Sequence, residues 1–225
     1  MGRWGHCDND CDRASELAGE IVGAYDGPEY NALCALGHCR IVGEAGDAVD
    51  DSSALERVRQ KLDTGLGDKL LDKHRALVVA ASGPWEKHEA KYQVAILGTL
   101  MMSTGAEIKD YHLQYLRQLG SEVQCNETFT LPFADTGFCG PGKRQFLVAL
   151  DNYRPGTPRN FNQACCHACG KTKQDTGTAP LMCNGCRRAW FCDKDCQRSL
   201  WSVHKRNCGG NRNSSTGLGF EMLNV

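Results

Sequence analysis

Eight metal-binding side chains recur at short intervals in the last quarter of this 225-residue chain, as Cys166-x2-Cys169-x13-Cys183-x2-Cys186-x5-Cys192-x3-Cys196-x7-His204-x3-Cys208. Seven cysteines and one histidine are enough for two tetrahedral sites. A Cys-x2-Cys turn aims both thiolates at one ion. Gly170 after the first pair and Gly185 inside the second permit the unusual backbone angles of such knuckles. Cys192 and Cys196, like His204 and Cys208, are four residues apart, which puts each pair on one face of a helical turn. Zinc suits a mixed thiolate and imidazole donor set and closes structural sites with four protein ligands. The expectation is one site of four thiolates and one of three thiolates and an imidazole. Buried thiols or a disulfide framework are the alternative, but Cys pairs this dense beside a His-x3-Cys argue for metal. Cys165 next to Cys166 leaves open which of the two is the ligand; the two-residue spacing favours Cys166.

The rest of the composition is ordinary. The chain is 41% hydrophobic and 24% charged, with a net charge of −1, so no global field favours nucleic acid or a membrane surface. Its apolar runs, such as Leu77-Val78-Val79-Ala80-Ala81, fall far short of the about 20 residues a spanning helix needs. Met1-Gly2-Arg3-Trp4-Gly5-His6 lacks the apolar core of a signal peptide. An intracellular protein, cytoplasmic or nuclear, is expected, where clustered cysteines bind metal more often than they pair.

Charge and cysteine both divide the chain. Residues 164–212 carry nine basic and three acidic side chains, +6; the remainder carries 17 basic and 24 acidic, −7. Cys7, Cys11, Cys34, Cys39, Cys125 and Cys139 are scattered over the first 140 residues. They read as small buried hydrophobes. A further metal site from His6, Cys7, Cys11, Cys34, His38 and Cys39 has irregular spacings and is disfavoured.

The fold class expected is mainly α: a helical N-terminal domain plus a small C-terminal two-zinc module. Ala14, Leu17, Ala18, Ile21, Val22 and Tyr25 form one helix face, with Gly27-Pro28 as its stop. A second helix is predicted over 29–45. A third opens at the Ser53…Glu56 capping box, and a fourth spans 70–81. The strongest runs over 84–102, with Trp85, His88, Tyr92, Ala95, Ile96, Thr99 and Leu100 on one face, Pro84 in its first turn and Gly105 at its end. Ile108 to Leu119 is a sixth, and 145–153 leans to helix. The predicted divisions are an α-helical domain at 1–125, a weakly structured connector and linker at 126–163, the metal module at 164–208 and a flexible Gly/Asn/Ser-rich tail at 209–225. Arg154-Pro155-Gly156-Thr157-Pro158-Arg159-Asn160 reads as the linker, and protease cleavage is expected between Tyr153 and Gln163.

Two resemblances add to this. Met1-Gly2-Arg3-Trp4-Gly5, then Asp8-Asn9-Asp10 and an Ala/Leu-rich helix, resembles a family of small, largely bacterial proteins of unknown function that begin Met-Gly-x-Trp-Gly; Tyr92 to Gly98 is compatible with it. It implies a helical domain and no chemistry. Residues Cys166 to Cys208 resemble the MYND zinc finger. Beyond the ligands, Phe191 precedes the fifth cysteine, and Cys196-Gln197-Arg198-Ser199-Leu200-Trp201-Ser202-Val203-His204 reproduces that family's Cys-Gln-x3-Trp-x2-His. The resemblance implies a cross-brace: a first Zn2+ on Cys166, Cys169, Cys192 and Cys196, and a second on Cys183, Cys186, His204 and Cys208. The thirteen-residue gap before Cys183 is slightly long for the family.

The same resemblance implies an adaptor that docks short proline-containing peptides of partner proteins through Gln197 and Trp201. The alternative is a nucleic-acid-associated transcriptional regulator using Arg187, Arg188, Lys205 and Arg206. Two zinc–thiolate centres of charge −2 and −1 bring the module from +6 to near +3, and no recognition helix or RNA-stacking motif is present, so nucleic acid is disfavoured. An enzyme is not expected. The chain shows no Gly-x-Gly-x-x-Gly, phosphate loop, Gly-x-Ser-x-Gly elbow or Asn-His-Ser-Cys stretch of the kind found in MYND-bearing lysine methyltransferases. Two filled structural sites also leave no open coordination position.

Overall fold

A computed structural model describes residues 8–37, 52–123, 141–206 and 208. Among the described residues, the first region is built by α1 (Asp8–Val22), α2 (Pro28–Gly37), α3 (Ser52–Lys61), α4 (Gly67–Ala80), α5 (Pro84–Thr104), α6 (Asp110–Glu122) and α7 (Lys143–Asp151), in chain order. Among the described residues, no helix is long and apolar enough to cross a membrane.

α5 is the axis. From Val94 to Thr104 every residue is buried, so this half of the helix is surrounded, packed by α1, α2, α3, α4 and α6. An apolar stripe on one side suffices for a surface helix, but a central helix needs apolar residues all round. The predicted single face is therefore replaced by burial on every side. Trp85, at the start of the helix, projects beyond the core and is 51% exposed. The ends are as the sequence indicates, with Pro84 in the first turn and Gly105 as a left-handed cap at φ 74.

α1 buries Ala14, Leu17, Ala18 and Ile21 in the predicted register. Tyr25 lies past its end and is exposed, because Gly23 at φ 82 stops the helix and Pro28 opens α2 instead of closing α1. α2 ends its described span at Gly37; the predicted extension to residue 45 lies outside the described residues. α3 and α4 are joined by a π-helical turn, Leu62–Leu66, where Gly65 at φ 95 lets the chain kink. Leu33, Val58, Leu62, Leu71, Leu97, Leu100, Met101, Met102, Leu116 and Leu119 fill the centre.

The stretch expected as a weakly structured connector is, where described, built into this core. α7 buries Phe146, Ala149 and Leu150, and Phe161 beyond it is 3% exposed. The apolar face of 145–150 drives this, since Phe146 and Leu150 are one helical turn apart. The joint at 154–160 is packed as well. The Gly156 N–H donates to the Gly105 carbonyl at 2.8 Å, and the Arg159 N–H to the Met102 carbonyl at 2.9 Å. Tyr153 donates its hydroxyl to the Ala106 carbonyl. Prolines and glycine break the helix here, as composition indicates, but the extended chain they leave finds partners at the end of α5.

The second region holds α8 (Lys173–Thr176), a two-stranded antiparallel sheet of β1 (Leu181–Met182) and β2 (Trp190–Phe191), then α9 (Lys194–Ser199) and α10 (Trp201–His204). Its apolar centre is small: the buried members of its cluster are Cys166, Cys183, Ala189 and Phe191.

Candidate metal centres

The two Cys-x2-Cys turns are built alike. In the first, the Gly170 N–H donates to the Cys166 carbonyl at 2.8 Å; in the second, the Arg187 N–H donates to the Cys183 carbonyl at 2.8 Å. The residue four past each leading cysteine must turn left-handed, and the angles are φ 79 for Gly170 and φ 52 for Arg187. Arg187 is the one non-glycine residue with positive φ among the described residues. Gly185, expected to supply an unusual angle, does something else. A Cβ there would lie 3.0 Å from the Cys208 sulfur, so the glycine makes room for a donor atom arriving from the far end of the module.

The remaining donors come from helices. The Asp193 side chain accepts the Cys196 N–H at 2.8 Å and caps α9, which places Cys196 one helical turn beyond Cys192. α10 carries His204, whose ring stands edge-on to Phe191 at 5.3 Å between centroids. The short sheet pairs Leu181 with Phe191 and Met182 with Trp190. It thereby brings the chain just before Cys183 beside the chain just before Cys192 and crosses the two halves of the motif.

The result is two groups: Cys166, Cys169, Cys192 and Cys196 in one, and Cys183, Cys186, His204 and Cys208 in the other. Within each, all donor atoms lie within 4.8 Å of one another. Sulfur–sulfur separations are 3.6 Å for Cys169–Cys192, 4.0 Å for Cys169–Cys196 and 3.7 Å for Cys183–Cys208. The His204 Nε2 is 3.4 Å from the Cys183 sulfur and 3.7 Å from that of Cys186. Zinc–sulfur bonds of about 2.3 Å and zinc–nitrogen bonds of about 2.0–2.1 Å give tetrahedron edges of roughly 3.8 Å and 3.6 Å. The spacing fits those edges. It does not fit disulfides, whose sulfurs are about 2.0 Å apart.

The chemistry of the donors asks for a cation too. Burial and the neighbouring thiolates push the Cys196 thiol up to about 12 and that of Cys208 up to about 11. At Cys183 burial acts the same way but is outweighed by the backbone N–H groups of Cys186 and Gly185 and by His204, so that thiol falls to about 6. Four sulfurs so close cannot all ionise against one another, whereas a divalent ion between them lets each deprotonate. The residues fit Zn2+, two ions per chain, each closed by four protein donors.

Cys165 stands outside both groups. It is buried, its thiol lies 3.9 Å from the Pro141 carbonyl, and burial raises it to about 11. Its neighbour Cys166 is the one that faces the other donors. His167 also stays out of both groups, and burial lowers its ring to about 4. Cys34 lies in α2, 3.7 Å from the Ser15 hydroxyl. His6, Cys7, His38 and Cys39, which the disfavoured third site would need, lie outside the described residues.

The two peptide-docking candidates fall on one side of the second group. Gln197 is half-buried and its amide donates to the Cys183 sulfur at 3.5 Å. Trp201 is 46% exposed and tilts against the His204 ring, 5.8 Å between centroids. Sequence reading missed the contacts that fix the module to the helices, above all Arg159 with Asp175. The available signal was Thr172-Lys173-Gln174-Asp175, a capping-box pattern that does form at α8.

No curated protein and no solved structure matches the chain. A family model does: residues 166–208 match the MYND finger, and the two crossed donor groups of this segment fit the cross-brace of that family.

Proposed function

We propose that the finger is a protein-interaction module whose two zinc ions are purely structural, and that it docks short proline-containing peptides of partner proteins across Trp201 and Gln197. Cys166, Cys169, Cys192 and Cys196 hold one ion; Cys183, Cys186, His204 and Cys208 hold the other. The observation that carries the reading is Trp201. A large indole is usually buried, yet here it stays 46% exposed on a module with very little apolar material to spend. It stands against His204, so zinc fixes its position. Exposed Val203 lies two residues away. Proline-rich segments are already extended and pack on aromatic faces with little entropy to lose. Gln197 sits one helical turn before Trp201 with its amide N–H turned to the Cys183 sulfur, and its side-chain oxygen is the acceptor this reading assigns to a peptide N–H.

The test uses the full chain. Trp201→Ala should keep two zinc ions and lose roughly thirtyfold in affinity for a proline-containing peptide selected from a peptide library, the size of a hot-spot aromatic. Affinity should change little between low and moderate salt. Release of zinc by Trp201→Ala would make the indole part of the core. A steep salt dependence with DNA or RNA, retained in the variant, would favour the basic surface instead.

A further inference from the structure

The thirteen residues between the first and second cysteine pairs form a bracket that grips the helical region. Asp175 in α8 faces Arg159 through two contacts of 2.6 Å, and the two side chains are 3% and 7% exposed. Burial opposes a charged Asp175, and Arg159 together with the N–H and hydroxyl of Thr172 outweighs it, holding the carboxyl below its ordinary value. Gln174 adds its amide to the Pro158 carbonyl at 2.9 Å and accepts the Asn160 N–H at 3.4 Å. Arg159 and Gly156 are themselves tied by backbone to Met102 and Gly105 at the end of α5.

A second grip lies on the other side of the first cysteine turn. Arg144 of α7 donates to the His167 carbonyl at 2.9 Å. Gly170 passes so close to α7 that a Cβ would stand 2.3 Å from the Arg144 carbonyl carbon. Cys165 pairs with Thr172 in a β-bridge and lies buried beside Pro141. By contrast, among the described residues no hydrogen bond or ion pair joins residues 183–206 to the helices.

We propose that residues 170–182 are an intramolecular docking element, and that through it the Cys166–Cys169–Cys192–Cys196 site, the joint at 154–160 and α7 open together, while α3 and α4 do not join them. A finger mounted this way presents its peptide surface from a fixed platform and does not swing on a tether. Loss of the first ion then reaches the helical region through α7. The inference rests on the reading that both groups hold zinc.

Hydrogen–deuterium exchange on the full, zinc-loaded chain tests it, with zinc counted first by native mass spectrometry. Chelation should speed exchange over 143–161 by at least about tenfold and leave 52–80 unchanged, because only the former is braced by the finger. Asp175→Asn, with two zinc ions still bound, should speed exchange over 154–161 without any chelator. Arg159→Lys, which keeps the charge but loses the bidentate fork, should give a smaller rise in the same segment. Unchanged exchange over 143–161 after both ions have left overturns the proposal. So does an equal rise over 52–80, or Asp175→Asn and Arg159→Lys both matching the parent chain. A parent chain that carries no zinc at the outset overturns the zinc reading itself, a separate outcome.

Discussion

The two halves of this molecule close their interiors by different means. Around α5 the chain buries leucine, methionine, isoleucine and valine from several helices, and Leu97, Leu100, Met101 and Leu116 are almost wholly removed from water. In the finger the apolar cluster buries only Cys166, Cys183, Ala189 and Phe191 among the described residues, with Leu181, Met182, Trp201 and Val203 all left exposed. A segment of this length cannot bury enough apolar area to offset the entropy of ordering it. Its cysteines take the place that leucines hold in the helices, and metal bonds supply what packing does not. Where a chain spends its side chains on donors, it has apolar surface left over for a partner.

Changing Cys192→Ser should have the largest effect. It takes one sulfur from the first group, and structural zinc contributes roughly 10–16 kcal/mol of folding free energy in isolated fingers. Zinc content should fall below two and the finger should lose its fold, while most of the helical circular dichroism signal survives. Loss of all helicity would mean that the halves do not differ as described.

The matching change in the other half is Leu97→Ala. Leu97 is fully buried in α5, so truncation should cost about 2–5 kcal/mol in denaturant unfolding monitored by helicity. Zinc content should remain two. If zinc is released instead, the finger draws its stability from the helical core and the contrast fails.

Arg187→Gly should have the smallest effect, and it stabilises. Arg187 holds a left-handed angle that glycine adopts freely, in the position Gly170 fills in the first turn. Relief of about 1 kcal/mol is expected, read as slower zinc release to a competing chelator. Faster release would show that the arginine side chain matters more than its backbone strain.

The legible parts of the sequence were those governed by short spacing. Both donor groups follow from the Cys-x2-Cys and four-residue intervals together with the resemblance to the MYND finger, and the donors meet as expected. The ends of α5 follow from Pro84 and Gly105. What escaped was set by long-range packing. Burial all round α5 is invisible to a search for one apolar face. The joint at 154–160 has the composition of a loose linker, yet its backbone groups find partners in α5, and Arg159 finds Asp175 sixteen residues away. Gly185 looked like a turn residue because composition reports only that a side chain is missing. The structure shows that the space is taken by the Cys208 sulfur.

Seven thiolates and one imidazole close two sites in the finger, while the core that α1 to α6 build around α5 needs no metal. Zinc-edge X-ray absorption on the purified full chain, with its zinc content measured alongside, tests this most directly. Seven sulfurs and one nitrogen shared between two ions average to 3.5 sulfur and 0.5 nitrogen neighbours per zinc. That shell is the expected result, with sulfur at about 2.3 Å and nitrogen at about 2.0–2.1 Å, and two zinc ions per chain. One ion per chain, or a shell with two or more nitrogen or oxygen neighbours per zinc, would contradict it.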